Sequence, residues 1–154
     1  MSASTLVLPP GAGYIAAAVL STVYVVVFQS RTVSKWRRSS GVKYPRVYAS
    51  DDEVKENMNA MRFNCAQRAH QNTLEYLPLL LSTTLITALK YPIPAAGALG
   101  LWSLSRVGYT LGYASGDPAR RNNVLSLLHY PIVFGLLGSS TYTAVRLVLA
   151  ELRI

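Results

Sequence analysis

The sequence is poor in the residues that most often build reactive sites. It has one cysteine, Cys65, and two histidines, His70 and His129, in 154 residues. A lone cysteine excludes an intramolecular disulfide framework and a cysteine-rich metal site. The histidines stand far apart and fit no metal-binding spacing such as HExxH, so no metal is expected. Charge is also scarce. Asp, Glu, Lys and Arg make up 14% of the chain, against about 25% in soluble globular proteins. A small soluble protein needs charge to cover its surface, and lipid in place of water over most of that surface accounts for the deficit. Residues 1–12 hold no Lys or Arg, whereas a cleavable signal peptide carries positive charge ahead of its apolar core. Here the positive charge follows the first apolar run, from Arg31 onward. That order reads as an uncleaved anchor with its N-terminus outside the cytosol.

What charge there is leans basic, with a net +8. A basic chain can bind nucleic acid or can keep its Lys and Arg in the cytosolic loops of a membrane protein. The distribution favours the second. Arg31, Lys35, Arg37, Arg38, Lys43 and Arg46 crowd one linker between long uncharged stretches, which no nucleic-acid module needs. No nucleic-acid partner is expected, and the cluster reads mainly as a topology signal, with attraction to anionic lipid a secondary role.

A helix needs about 20 mostly apolar residues to cross a bilayer core. Four stretches meet that length, at about residues 13–38, 64–89, 94–113 and 124–148. They predict an all-α fold: a single-domain integral membrane bundle of four helices. Pro9, Pro10 and Gly11 end any helix before the first span. A polar connection from about Ser39 to Arg62 should lie in water. Lys90-Tyr91-Pro92 breaks the chain after the second span, and Pro94 suits the first turn of the third. Gly116-Asp117-Pro118 is a turn signal, and Pro131 a possible kink in the fourth span. The first and third linkers hold Arg31 to Arg46, Lys55, Arg62, Arg120 and Arg121. The opposite side has Lys90 and Arg153, so the first side is expected to face the cytosol. There is no internal repeat and no low-complexity tract.

Charged groups inside membrane helices are costly and suggest a site by default. Arg68, Asn72, Glu75 and Tyr76 share one stripe of the second span, and Arg106, Tyr109 and Tyr113 share one of the third. Both stripes lie near the cytosolic ends, with Arg120 a short distance beyond. Together they offer guanidinium groups, phenols, a carboxamide and one carboxylate. Guanidinium pairs with carboxylate through a two-point fork, and a lone glutamate suits an ammonium. A small zwitterion with two carboxylates, an amine and a thiol satisfies every group, and glutathione is such a molecule. An Arg beside its sulfur would favour the reactive thiolate. A second account fits the same residues: Arg68 and Glu75 as a pair fixing helix register, the tyrosines as interfacial aromatics, and the polar groups as glue between helices.

The residues also carry a resemblance. Phe63-Asn-Cys-Ala-Gln-Arg-Ala-His-Gln-Asn-Thr-Leu-Glu75 strongly resembles the second-helix signature of the MAPEG family of membrane proteins, in its type 3 microsomal glutathione transferase form. Val33-Ser34-Lys35 running on to Val42-Lys43-Tyr44-Pro45 looks like the end of that family's first helix and its linker. Ser105-Arg-Val-Gly-Tyr-Thr-Leu-Gly-Tyr113 resembles its third-helix motif, and Gly116-Asp117-Pro118 with Arg120 and Arg121 the loop that follows. The likeness runs well from Val33 to Arg121; the outer spans match mainly in hydropathy.

The resemblance implies a homotrimer in the endoplasmic reticulum and nuclear envelope, with glutathione as co-substrate between subunits on the cytosolic side. Arg68, Asn72, Glu75, Tyr76, Tyr109, Tyr113 and Arg120 would surround glutathione from one subunit. Arg37 and His70 would come from the neighbour; His70 stands where a related synthase has Gln. By the same resemblance Arg120 would stabilise the thiolate and Arg38 would help the electrophile accept a proton. The partner substrates would be lipophilic electrophiles such as epoxides, and lipid hydroperoxides. A lipid-presenting, non-catalytic member of the same family, of the kind that activates a lipoxygenase, is the alternative, and retention of Arg68 and Arg120 argues against it. A channel or transporter fits poorly, because the polar groups gather at one end instead of crossing the midplane. Cys65 reads as a packed small residue, His129 as a helix-interface residue, and Trp36 and Trp102 as interfacial or packing aromatics.

Overall fold

The computed structural model describes residues 9–153. The charge-free start of the chain as far as residue 8, assigned above to the non-cytosolic side, and the final residue of the Glu151-to-Ile154 end lie outside the described residues. Every regular element among the described residues is helical. The long helices are α1 (Ala12–Ser40), α3 (Met58–Ala88), α4 (Pro92–Tyr113) and α6 (His129–Glu151), joined by the short α2 (Asp51–Glu56), a 3-10 turn at Pro118–Arg121 and α5 (Val124–Leu127).

Each helix ends where its sequence has a reason to stop. Gly41 closes α1 with φ 75°, a left-handed conformation that suits glycine, and its amide returns to the Arg37 and Arg38 carbonyls. Pro92 opens α4 at a position where an amide would be unpaired anyway. Pro78 lies inside α3 and has no amide to donate to the turn before it. The fourth span is interrupted at Leu128, which keeps helical backbone angles, and Pro131 in the next turn has no amide to donate to the Leu127 carbonyl, so the interruption falls where this proline removes a helical bond.

The polar connection from Ser39 to Arg62 contains one short helix, α2, between the non-helical residues 41–50 and the first turns of α3. Ser50 and Glu53 form a capping box that starts α2, with Asp51, Asp52 and Glu53 on its positive end. Asn57 then caps α3, which begins at Met58. The linker is clamped to α3 by Asn64, whose amide oxygen accepts from the Ala49 amide at 2.8 Å and whose amide nitrogen donates to the Ala49 carbonyl at 3.0 Å. Capping chemistry, not hydropathy, carried this information, so an apolar-run reading passed over it.

Both α3 and α4 pack against α1 and against α6. One apolar cluster joins Leu80, Leu99, Trp102 and Leu136 in the bundle, and another joins Val33, Val42, Phe63 and Ala66 beneath the linker. Much of the remaining interior is polar: Gln29, Thr73, Thr84, Thr110 and Thr143 are fully buried. The exterior is apolar, with Leu111 61% and Phe134 68% exposed. A soluble fold puts these classes the other way round; an apolar exterior with satisfied backbone suits lipid. By length and composition two helical segments can cross a membrane, α1 and Val124–Glu151. The helices α3 and α4 fall short of that measure, where the sequence reading counted four spans, because polar and charged side chains such as Arg68, Asn72, Glu75 and Arg106 interrupt their apolar runs.

Arg46 forks onto Glu53 through bonds of 2.8 and 2.9 Å. With the Ser50 amide, this holds the Glu53 carboxyl down at about 2 against an ordinary 4.5. A lowered carboxyl favours the folded linker above the ordinary value, and that contribution is lost as pH falls from about 4.5 toward 2. We expect α2 amides to lose hydrogen-exchange protection over that window, and Glu53→Gln to remove the acid dependence; protection in the wild type that is flat with pH would contradict the pairing.

Candidate functional site

The polar groups of α3 and α4 face each other across the bundle. Steps of three and four residues bring Asn72, Thr73 and Tyr76 of α3 opposite Arg106, Tyr109 and Thr110 of α4. Arg106 is 2% exposed. Its Nε donates to the Thr73 hydroxyl at 3.0 Å and its Nη2 to the Asn72 amide oxygen at 2.9 Å. The guanidinium stacks over Tyr109 with 4.0 Å to the ring centre. From α1, Gln29 donates at 2.8 Å to both the Thr73 and Thr110 hydroxyls. Three helices therefore meet in one hydrogen-bonded layer.

Beside this layer lies a polar cavity of about 120 Å³, lined by Asn72, Tyr76, Arg106, Tyr109, Arg121 and His129 among others. His129 is oriented by Trp102, whose indole N–H donates to Nδ1 at 3.0 Å. An Nδ1 that accepts carries no proton, so the ring proton sits on Nε2. Tyr76 meets the same imidazole edge-on at 4.4 Å. The expectation that His129 and Trp102 pack at a helix interface holds, and their hydrogen bond adds a defined tautomer.

The other sequence-derived site residues are distributed around that cavity. Arg68 binds Glu75 at 2.7 Å, both partly exposed, which matches the pairing account of those two side chains within one chain. Arg68 and Tyr113 line a separate cavity of about 290 Å³ with Tyr48 and Cys65. Cys65 is a free, buried thiol. Tyr113 and Tyr109 bridge the two cavities, ring to ring at 5.6 Å. Arg37 is buried under the linker, donating at 2.7 Å to the Arg46 carbonyl and stacked between Tyr44 and Phe63. Its Nε and the Nδ1 of His70 are buried without a partner. Arg38 and Arg120 are exposed, and Arg120 reaches Asp117 at 3.6 Å. Arg68, Tyr109 and Arg120 thus share no cavity within one chain.

The structure adds residues that the sequence reading left out of the site. Arg121, not Arg120, turns toward the polar cavity and lies over Tyr113 at 5.5 Å. Sequence cannot say which of two adjacent arginines points inward. Gln29 and Thr73 had a signal: an amide and a hydroxyl in membrane-length helices tend to face other helices.

The arginine loop is held tightly to α4. Asn123 caps α5 together with Ser126, and its amide donates to the Gly108 carbonyl at 2.9 Å and to the Arg120 carbonyl at 3.3 Å. A methyl group on Gly112 would stand 2.1 Å from the Arg120 carbonyl oxygen, and one on Gly108 would stand 2.9 Å from Leu125. Only glycine permits this approach. At the other side of the loop, Arg62 Nε donates to the Ser115 carbonyl at 3.2 Å.

A larger, nearly uncharged groove of about 700 Å³ lies between α4 and α6, lined by Pro94, Ala98, Leu101, Pro131 and Gly135 among others. Tyr130 lines the polar cavity and its chain neighbour Pro131 the groove, and the two spaces have no lining residue in common. The described residues include no group of three or more His, Cys, Asp or Glu that would hold a metal. In comparison with known protein families, the model of the MAPEG family matches residues 14–142.

We expect Gly112→Ala to push the arginine loop off α4 at a cost of about 1–3 kcal/mol. Faster tryptic cleavage at Arg120 and Arg121, with a lowered thermal midpoint, would register this. Wild-type cleavage kinetics in the variant would show that the loop is not held there.

Proposed function

Because the chain belongs to the MAPEG family, we propose that it is a membrane-bound glutathione transferase that also reduces lipid hydroperoxides with glutathione. The family is one of membrane proteins that bind glutathione and lipophilic substrates and form trimers, and it includes both glutathione transferases and non-catalytic members. The observation that carries the reading is the presence in one bundle of a donor-rich cavity, walled by Asn72, Tyr76 and Tyr109, and of an uncharged groove between α4 and α6. A water-soluble thiol and an oily electrophile need these two environments.

In this reading all four long helices cross the bilayer, and the arginine-rich end faces the cytosol, in the endoplasmic reticulum and nuclear envelope. Glutathione lies between subunits of a homotrimer. Arg68, Asn72, Glu75, Tyr76, Tyr109 and Tyr113 receive its charged ends from one subunit. Arg37 and His70 of the adjoining subunit complete the site, and each brings a buried polar nitrogen with no partner in its own chain. The Arg68–Glu75 pair opens to take a carboxylate and an ammonium in place of each other. Arg120 holds the thiolate, favouring the nucleophile at neutral pH. On an epoxide the sulfur bonds to carbon, the C–O bond breaks, and the alkoxide takes a proton, a step Arg38 assists. On a hydroperoxide, two glutathione molecules become the disulfide while the substrate becomes an alcohol and water.

The lipid-presenting reading draws on the groove, which is much larger than the polar cavity. It leaves the guanidinium groups at positions 68 and 120 without a task.

Purified protein should consume glutathione with lipid epoxides and organic hydroperoxides. Arg68→Ala is expected to weaken glutathione about tenfold or more in calorimetry, a loss of about 1.4 kcal/mol per factor of ten. Arg120→Ala should keep the trimer but abolish the thiolate band in ultraviolet difference spectra of bound glutathione. Binding without turnover of either substrate class would favour the lipid-presenting reading, and normal affinity in Arg68→Ala would remove Arg68 from the site.

A further inference from the structure

Arg106 is more deeply buried than any other charged side chain among the described residues. It forms no ion pair with a described Asp or Glu; the acids near that end are engaged elsewhere, Glu75 by Arg68. Its hydrogen bonds go to two neutral acceptors, the Thr73 hydroxyl and the Asn72 amide, and they use Nε and Nη2. Its ring neighbour Tyr109 is likewise neutral. Arginine does not shed its charge in proteins, and a guanidinium buried without a counter-charge is strongly unfavourable.

The cavity beside it has the chemistry to correct this. Arg106 and Arg121 both line it, and no acid does. His129 presents Nε2–H, because Trp102 occupies Nδ1. Tyr76, Tyr109 and Tyr130 bring hydroxyls that rotate to donate. Its volume of about 120 Å³ exceeds the ~30 Å³ share of one water but is far too small for a whole tripeptide. Two positive charges and several donors line one small space, and no carboxylate lines it to balance them.

We propose that this cavity binds a small monoanion of carboxylate or halide size, which serves as the counter-charge of Arg106. The anion reaches both arginines and the imidazole N–H, and so ties α3, α4 and the start of α6 together. It comes from solution as a free ion or arrives as the carboxylate end of a larger ligand. The inference stands on the burial of Arg106 and does not require that the protein bind glutathione.

The test uses the detergent-purified protein and carbon-13 formate. Formate lines should broaden with wild-type protein and sharpen again as chloride is added. Arg106→Gln should abolish the broadening, Arg121→Gln should weaken formate about tenfold, and Arg46→Gln, far from the cavity, should leave it unchanged. The thermal midpoint should rise with formate or chloride but not with a bulky sulfonate at equal ionic strength, as mass action requires. If Arg106→Gln does not fold, the wild-type broadening and its reversal by chloride decide the matter. Displacement of formate by glutathione would assign the anion to glutathione's own carboxylate; coexistence would assign it to solution; either upholds the site. Absence of glutathione binding with formate still bound would sink the transferase reading alone. No broadening by wild-type protein, or equal midpoints in formate and sulfonate, would overturn the anion site.

Discussion

Arg106 brings a permanent positive charge into the interior of a bundle whose outer surface is apolar, and the surrounding side chains are arranged around that cost. Thr73 and Asn72 accept its protons, Tyr109 offers a ring face, and Gln29 reaches across from α1 to the same threonine. These contacts come from α1, α3 and α4 together. The layer therefore sets the register of α1, α3 and α4 against one another more narrowly than aliphatic packing does, since a shift of one residue would strand a charge or an amide. The same layer forms the floor of the polar cavity, so the groups that stabilise the bundle also shape its site.

The rest of the architecture brings cations to this end of the molecule. Gly108 and Gly112 let the Pro118–Arg121 turn lie on α4, and Asn123 fastens it. Arg37 ties the end of α1 to the linker, and Asn64 ties the linker to α3. Beyond the polar cavity, α4 and α6 also border a nearly uncharged groove, so the bundle offers a polar and an oily environment as separate spaces.

Much of this was legible from the residues themselves. Sparse charge and long apolar runs pointed to helices with lipid outside, because helical spacing and hydropathy are local properties. The stripes of Asn72 with Tyr76 and of Arg106 with Tyr109 followed from the same periodicity, and the motif around Arg68 pointed to the family whose model matches residues 14–142. The short helix α2 within the polar linker has its signal in caps such as Ser50 with Glu53, which an apolar-run reading does not weigh. The interruption before α6 was legible in Pro131, whose missing amide acts one turn earlier.

Sequence by itself determined the helical class, the family and which side chains would share a helix face, since these depend on composition and on spacing along one chain. Tertiary structure alone decided that Arg121 instead of Arg120 turns toward the cavity, that His129 receives the Trp102 proton, and that Arg68 and Tyr109 line different spaces. The reason is physical: the direction of a long side chain is set by partners from other elements, and such distances are not encoded in local spacing.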